Sequence, residues 1–110
     1  MRLINLTPHA VTLIASNGSQ VVVQPSGSIA RCATIENVVG EVVVDGLTIP
    51  LVETQFGAVE GLPEQEEGTM YLVSALVKEA ANRKDLVSPG SQVRNDKGQV
   101  VGCESLSRKA

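Results

Sequence analysis

The sequence predicts a single α+β domain over residues 1–110, antiparallel and β-rich, with six to eight short strands in hairpins and one short helix at about 75–83. Three observations carry this expectation. Short apolar runs dominated by Val, Leu and Ile recur along the chain, each bounded by Gly, Pro, Asn, Asp or Ser. Two of them are joined by Asp45-Gly46 alone, which is the strongest short-range signal for a hairpin. Only the stretch after Ser74 has helical spacing. With 110 residues, 43% of them hydrophobic, the chain suffices for one core without metal or disulfide support.

Taken in order, residues 2–6 begin a strand that Asn5-Leu6-Thr7-Pro8-His9 interrupts before Ala10 to Ala15 resumes. Proline lacks an amide donor and biases Thr7 to extended backbone, so this break belongs at an edge, a bulge or a crossing point. Asn5, Thr7 and His9 are polar groups gathered there. Ser16-Asn17-Gly18-Ser19 turns Val11–Ile14 into Gln20–Gln24, and Pro25 to Ser28 turns the chain again into a strand at Ile29–Ala33. After the polar Thr34 to Asn37, Val38–Val44 and Leu47–Leu51 form the Asp45-Gly46 hairpin, with Pro50 near an edge. Gln55 to Pro63 carries three turn-forming residues, and Glu64 to Gly68 reads as an acidic surface excursion.

Met70–Val73 reads as a buried strand running directly into a helix capped by Ser74. Leu76, Val77, Ala80 and Ala81 give the helix one apolar stripe for the sheet, leaving Lys78, Glu79, Asn82 and Arg83 towards water. Ser88-Pro89-Gly90-Ser91 is expected to turn into Gln92–Arg94, which pairs with Gln99–Cys103 across Asn95 to Gly98.

Composition narrows the function classes. Net charge is -3, from 9 Lys plus Arg against 12 Asp plus Glu, and no basic run exists, which argues against a nucleic-acid polymer as partner. The only aromatic rings able to stack on a base are Phe56 and Tyr71. Cys32 and Cys103 stand far apart, and with His9 as the single histidine there is no ligand spacing for a metal, so free buried thiols and no cofactor are expected. No apolar stretch approaches a membrane span and no secretory leader is visible, so a cytoplasmic protein without a membrane partner is expected.

No catalytic constellation is evident. A nucleophilic triad requires a Ser or Cys beside a His oriented by a carboxylate, and nothing fixes His9 beside such partners. A binding role uses the same polar residues differently. Arg83, Arg94 and Arg31 offer planar forks for phosphate, His9 and Asn5 offer hydrogen bonds to a ribose or base, and Ser74 sits at an anion-favouring helix end. The competing role for the arginines is pairing with Asp85 and Asp96. Asn5, Thr7, His9, Ser74, Arg83 and Arg94 are the candidate ligand-binding residues.

Over nearly its whole length the chain resembles a family of small proteins encoded in bacterial genomes, prophages and tailed phages. The likeness is carried by Asn5-Leu6-Thr7-Pro8-His9 with Val11, by Gly57 to Pro63, and by Gly68-Thr69 with Tyr71-Leu72-Val73-Ser74. It continues through Arg83, Asp85-Leu86, Pro89, Val93-Arg94, Asp96, Gly98 and Gly102-Cys103. Those motifs name no activity. By analogy of setting, small phage-borne domains of this size are often counter-defence proteins, including sponges that sequester cyclic nucleotide or cyclic ADP-ribose immune signals. The resemblance therefore implies a homo-oligomer that binds a small phosphorylated, nucleotide-derived ligand without cleaving it. The alternatives are a small phosphodiesterase-like hydrolase using His9, and a structural or protein-interaction module of phage origin.

Overall fold

A computed structural model describes residues 1–110 as eight strands and one helix: β1 (Arg2–Asn5), β2 (Val11–Ile14), β3 (Gln20–Val23), β4 (Arg31–Val44), β5 (Leu47–Glu60), β6 (Thr69–Leu72), α1 (Ala75–Ala81), β7 (Leu86–Arg94) and β8 (Val100–Ser107). The β-rich α+β class follows directly. Six strands form one sheet in the order β1-β6-β7-β8-β2-β3, and β4 pairs only with β5. No helix is long and apolar enough to cross a membrane.

Pairing is antiparallel in β2–β3, β4–β5 and β7–β8, where a turn joins neighbours in sequence. It is parallel in β1–β6, β6–β7 and β2–β8, so the sheet is mixed and not built of hairpins alone. The β6-α1-β7 connection explains one of these pairs. Parallel neighbours need a crossover of about a dozen residues, usually helical, and residues 73–85 supply it.

The two ends of the sheet meet. Asn5, which ends β1, bridges Pro25 just beyond β3, and the Ser26 amide donates to the Asn5 carbonyl at 2.9 Å. The sheet is thereby curled into a ring whose seam is one bridge wide. Leu6 continues the pairing inward, donating to the Leu72 carbonyl at 2.8 Å and accepting from the Ala30 amide at 3.0 Å.

The core lies beside that seam. Leu6, Ala30, Tyr71, Val73, Val77 and Leu86 form one buried cluster, with Ile4, Cys32, Val59, Leu62 and Ala81 against it. Helix α1 thus covers the junction between the ring and the root of β4–β5. Ser74 caps it as expected, accepting from the Val77 amide at 3.2 Å. The helix ends earlier than the sequence implies, because Asn82 turns left-handed at φ 55°. Within it Leu76 is exposed while Lys78 is buried, its ammonium donating to Ser107 Oγ at 3.1 Å. A long side chain can bury its stem and still carry its charge to a hydroxyl, which is why a charged residue takes this position.

Two expected breaks are absent. The Ser88–Ser91 turn lies inside β7, where only Ser91 departs to φ 32°, and Thr34–Asn37 lies inside β4. β4 and β5 are therefore a continuous ribbon of 14 residues a side. Its Asp45-Gly46 turn has φ of 50° and 79°, the paired positive angles of the tight hairpin that this dipeptide favours. Only 14 of 110 residues are buried, and every residue from Ala33 to Phe56 except Gly40 is exposed.

Candidate functional site

Asn5, Thr7 and His9 do come together, in the loop between β1 and β2. The Asn5 side chain is 1% exposed and fully bonded: Nδ2 donates to the carbonyls of His9 (2.8 Å) and Val23 (3.0 Å), and Oδ1 accepts from the Thr7 amide (2.9 Å) and hydroxyl (2.7 Å). Thr7 Oγ1 also lies 3.0 Å from the His9 carbonyl. Their chemistry is spent on the backbone of the turn. Together they fix where His9 stands, and the His9 imidazole is exposed and makes no hydrogen bond within the chain.

His9 opens onto a cleft of about 490 Å³ between β2, β7 and β8, lined also by Thr12, Pro89, Gln92, Val101 and Cys103. Half of its ten lining residues are hydrophobic, and the polar ones are few, a composition typical of small-molecule sites. Gln92 and Thr12 are the groups that sequence reading missed. Neither carries a motif; only the pairing of β7 and β2 with β8 brings them beside His9. Cys103 is buried and donates to the Thr12 carbonyl at 3.7 Å, and burial pushes its thiol pKa up, so it stays un-ionised at neutral pH. A second apolar hollow of about 370 Å³, between Leu13, Val21 and Leu106, lies against the same strand.

Arg94 ends β7 opposite Val100, which lines the His9 cleft. It is exposed, and its Nη1 donates to the Gly98 carbonyl at 2.7 Å, not to Asp96. One face of its guanidinium contacts is therefore used locally, while the positive charge has no carboxylate partner.

Ser74 and Arg83 lie on the β6-α1-β7 crossover and are not among the residues lining that cleft. Arg83 grips Asp85 with two bonds of 3.0 and 2.6 Å, donates to the Pro63 carbonyl at 2.8 Å, and lies 6.0 Å from the centre of the Tyr71 ring. Tyr71 in turn donates to the Glu64 carbonyl at 3.1 Å. This network ties the Pro63–Glu64 loop to the crossover. The competing role for Arg83, pairing with Asp85, is the one realised here.

The bidentate guanidinium holds the Asp85 carboxyl below its usual pKa, and the Arg83 pKa rises in return. A depressed folded-state pKa contributes stability that is complete above the unfolded value of about 3.9 and is lost as pH falls through the folded value. Asp85→Asn is therefore expected to melt a few degrees below the wild type at neutral pH, with the gap closing as pH falls below the unfolded value and through the depressed folded one. Thermal melts across that range test it; a gap that stays constant down to low pH would place the role of Asp85 outside this ion pair.

Comparison of the chain with protein-family models, with curated proteins and with solved structures returned no match.

Proposed function

We propose that the chain binds a small phosphorylated, nucleotide-derived ligand at the His9 cleft and sequesters it without cleavage, in the manner of a phage-type sponge for cyclic nucleotide or cyclic ADP-ribose signals. The observation that carries this reading is a cleft of about 490 Å³, half of whose lining residues are hydrophobic, with one unengaged imidazole among them. Apolar walls suit the faces of a base and ribose, and His9, Thr12 and Gln92 suit their hydrogen-bonding edges. Arg94, with no carboxylate partner and next to a lining residue, supplies the charge for a phosphate. Asn5 and Thr7 act by holding the His9 loop in place. Ser74 and Arg83 serve the crossover, so the ligand-contacting set contracts to His9 and Arg94 with Thr12 and Gln92. Binding is favoured over hydrolysis because no carboxylate, hydroxyl or thiol is hydrogen-bonded to the His9 imidazole, either to orient it or to be activated by it.

The test is incubation of the purified chain with a panel of cyclic oligonucleotides and cyclic ADP-ribose isomers, with free ligand measured before and after heat denaturation. Depletion with full recovery on heating is the expected result. A new product would replace sequestration by a hydrolase, and an untouched panel would reject the small-ligand reading in favour of an interaction module. Arg94→Ala is expected to abolish depletion while the melting temperature stays nearly unchanged, since this exposed side chain makes a single bond to a loop carbonyl. Equal losses of binding and stability would mean that Arg94 is structural.

A further inference from the structure

Thr7 to Ile29 form a unit that the core does not hold. None of these residues is buried, whereas Leu6 before them and Ala30 after them both belong to the core and are joined by the Ala30 amide, which donates to the Leu6 carbonyl at 3.0 Å. The unit is the β2–β3 hairpin with its two approaches, paired within itself from Val11 with Val23 to Ile14 with Gln20. To its neighbour β8, by contrast, it is joined by the single bridge of Leu13 to Cys103. The two hollows lie on either side of that bridge. The His9 cleft takes His9 to Thr12 with Val100 to Cys103, and the smaller hollow takes Leu13 to Ala15 with Cys103 to Leu106.

We infer that this hairpin is a lid, hinged where Leu6 meets Ala30, that lifts off β8 at the Leu13–Cys103 bridge to open the His9 cleft and closes again on a ligand. Local opening is easy where few apolar contacts and few hydrogen bonds are lost. Lifting the hairpin gives up one bridge and the Cys103 bond to the Thr12 carbonyl, and it leaves every core residue in place. The bonds from Asn5 Nδ2 to the carbonyls of His9 and Val23 lie at the hinge end and are kept. Gly102 is what lets the lid seat. A Cβ there would stand 2.9 Å from Ile14 Cδ1 and 3.3 Å from the Thr12 carbonyl oxygen, both on the lid. The lid's part in capture rests on the reading of the His9 cleft as a ligand site. Thr12 belongs to the lid and Gln92 to β7, so a ligand bonded to both spans the joint and shifts the population to the closed form.

The Cys103 thiol, 2% exposed at the joint, is the reporter. A full chain carrying Cys32→Ala and Val73→Cys sets it beside a reference thiol at a core position 0% exposed and outside the lid. Both thiols meet an excess of alkylating reagent in native buffer, and peptide masses give the labelling rate at each. Cys103 is expected to label at least about 100-fold faster than the reference, which waits for global unfolding. If Val73→Cys weakens the fold, the global unfolding rate of the Cys32→Ala chain takes the place of the reference. Adding Gly102→Ala presses on the lid and should speed Cys103 labelling about tenfold with little change at the reference. Equal labelling of the two thiols, or acceleration of both alike by Gly102→Ala, would overturn the lid. Any member of the panel of cyclic oligonucleotides and cyclic ADP-ribose isomers that the chain depletes should slow labelling at Cys103 alone; a depleted member that leaves that rate unchanged overturns the lid's part in capture. A panel left untouched rejects the proposed function, and the labelling of the free chain then decides the lid by itself.

Discussion

Replacing Asn5 by alanine is expected to lower stability by about 3 kcal/mol and the melting temperature by about 15 °C. The substitution deletes two donors and one acceptor at a position 1% exposed, abandoning the carbonyls of His9 and Val23 and the amide and hydroxyl of Thr7. A lost hydrogen bond costs about 1 kcal/mol, and more where a buried partner is left without water. The Val23 bond matters most, because together with the Asn5–Pro25 bridge it joins the last strand of the sheet to the first. Thr7→Ala removes only the hydroxyl and is expected to cost about a third as much. Thermal or denaturant melts of both variants measure this; an Asn5→Ala chain within a degree or two of the wild type would show that the seam contributes nothing.

Gly61→Ala is the second large effect, at about 3 kcal/mol. Gly61 follows β5 with φ 87°, where an L side chain costs about 1 kcal/mol, and an added Cβ would overlap the Ile29 carbonyl oxygen and press on Ala30. That neighbour is backbone and cannot swing aside. Shifting it strains the Ala30 amide bond to Leu6 at the heart of the core, adding about 2 kcal/mol of the kind seen on overpacking. Gly68→Ala is the matched control, since its φ is 75° and no atom lies within 4 Å of the added methyl. It should lose only the conformational part. If the two alanine variants melt together, the close approach at Ile29 is without consequence.

What the sequence displayed was whatever short-range chemistry decides. Asp45-Gly46, Asn17-Gly18 and the Ser74 cap act within a few residues, and each stands where its composition implies. Arg83 and Asp85, two residues apart, also found each other. The length of the ribbon stayed hidden because Thr34 to Asn37 face water on both sides, so the alternation that marks a half-buried strand is missing there. The Ser88–Ser91 turn failed for the converse reason: pairing with β8 overrides the local preference of Ser-Pro-Gly-Ser. Parallel pairing was invisible in any window, being a property of the crossover. As for the site, the cluster Asn5-Thr7-His9 was legible as a break in a strand. That Asn5 and Thr7 face inward, leaving His9 to face the cleft, depends on Val23 arriving from a distant part of the chain, and Gln92 and Thr12 on the strands that flank β8.

The pairing of β2 with β8 has a consequence for the newborn chain. Leu13 meets Cys103, and β1 lies beside β6, so β1 has no neighbouring strand, and β2 none beyond β3, until most of the polypeptide has left the ribosome. The hairpins β2–β3 and β4–β5 need only their own turns and can form during synthesis. An apolar ribbon is then available before any core exists to accompany it. Contacts so distant in sequence make ring formation the slow step, and in that interval encounters between nascent ribbons compete with productive folding.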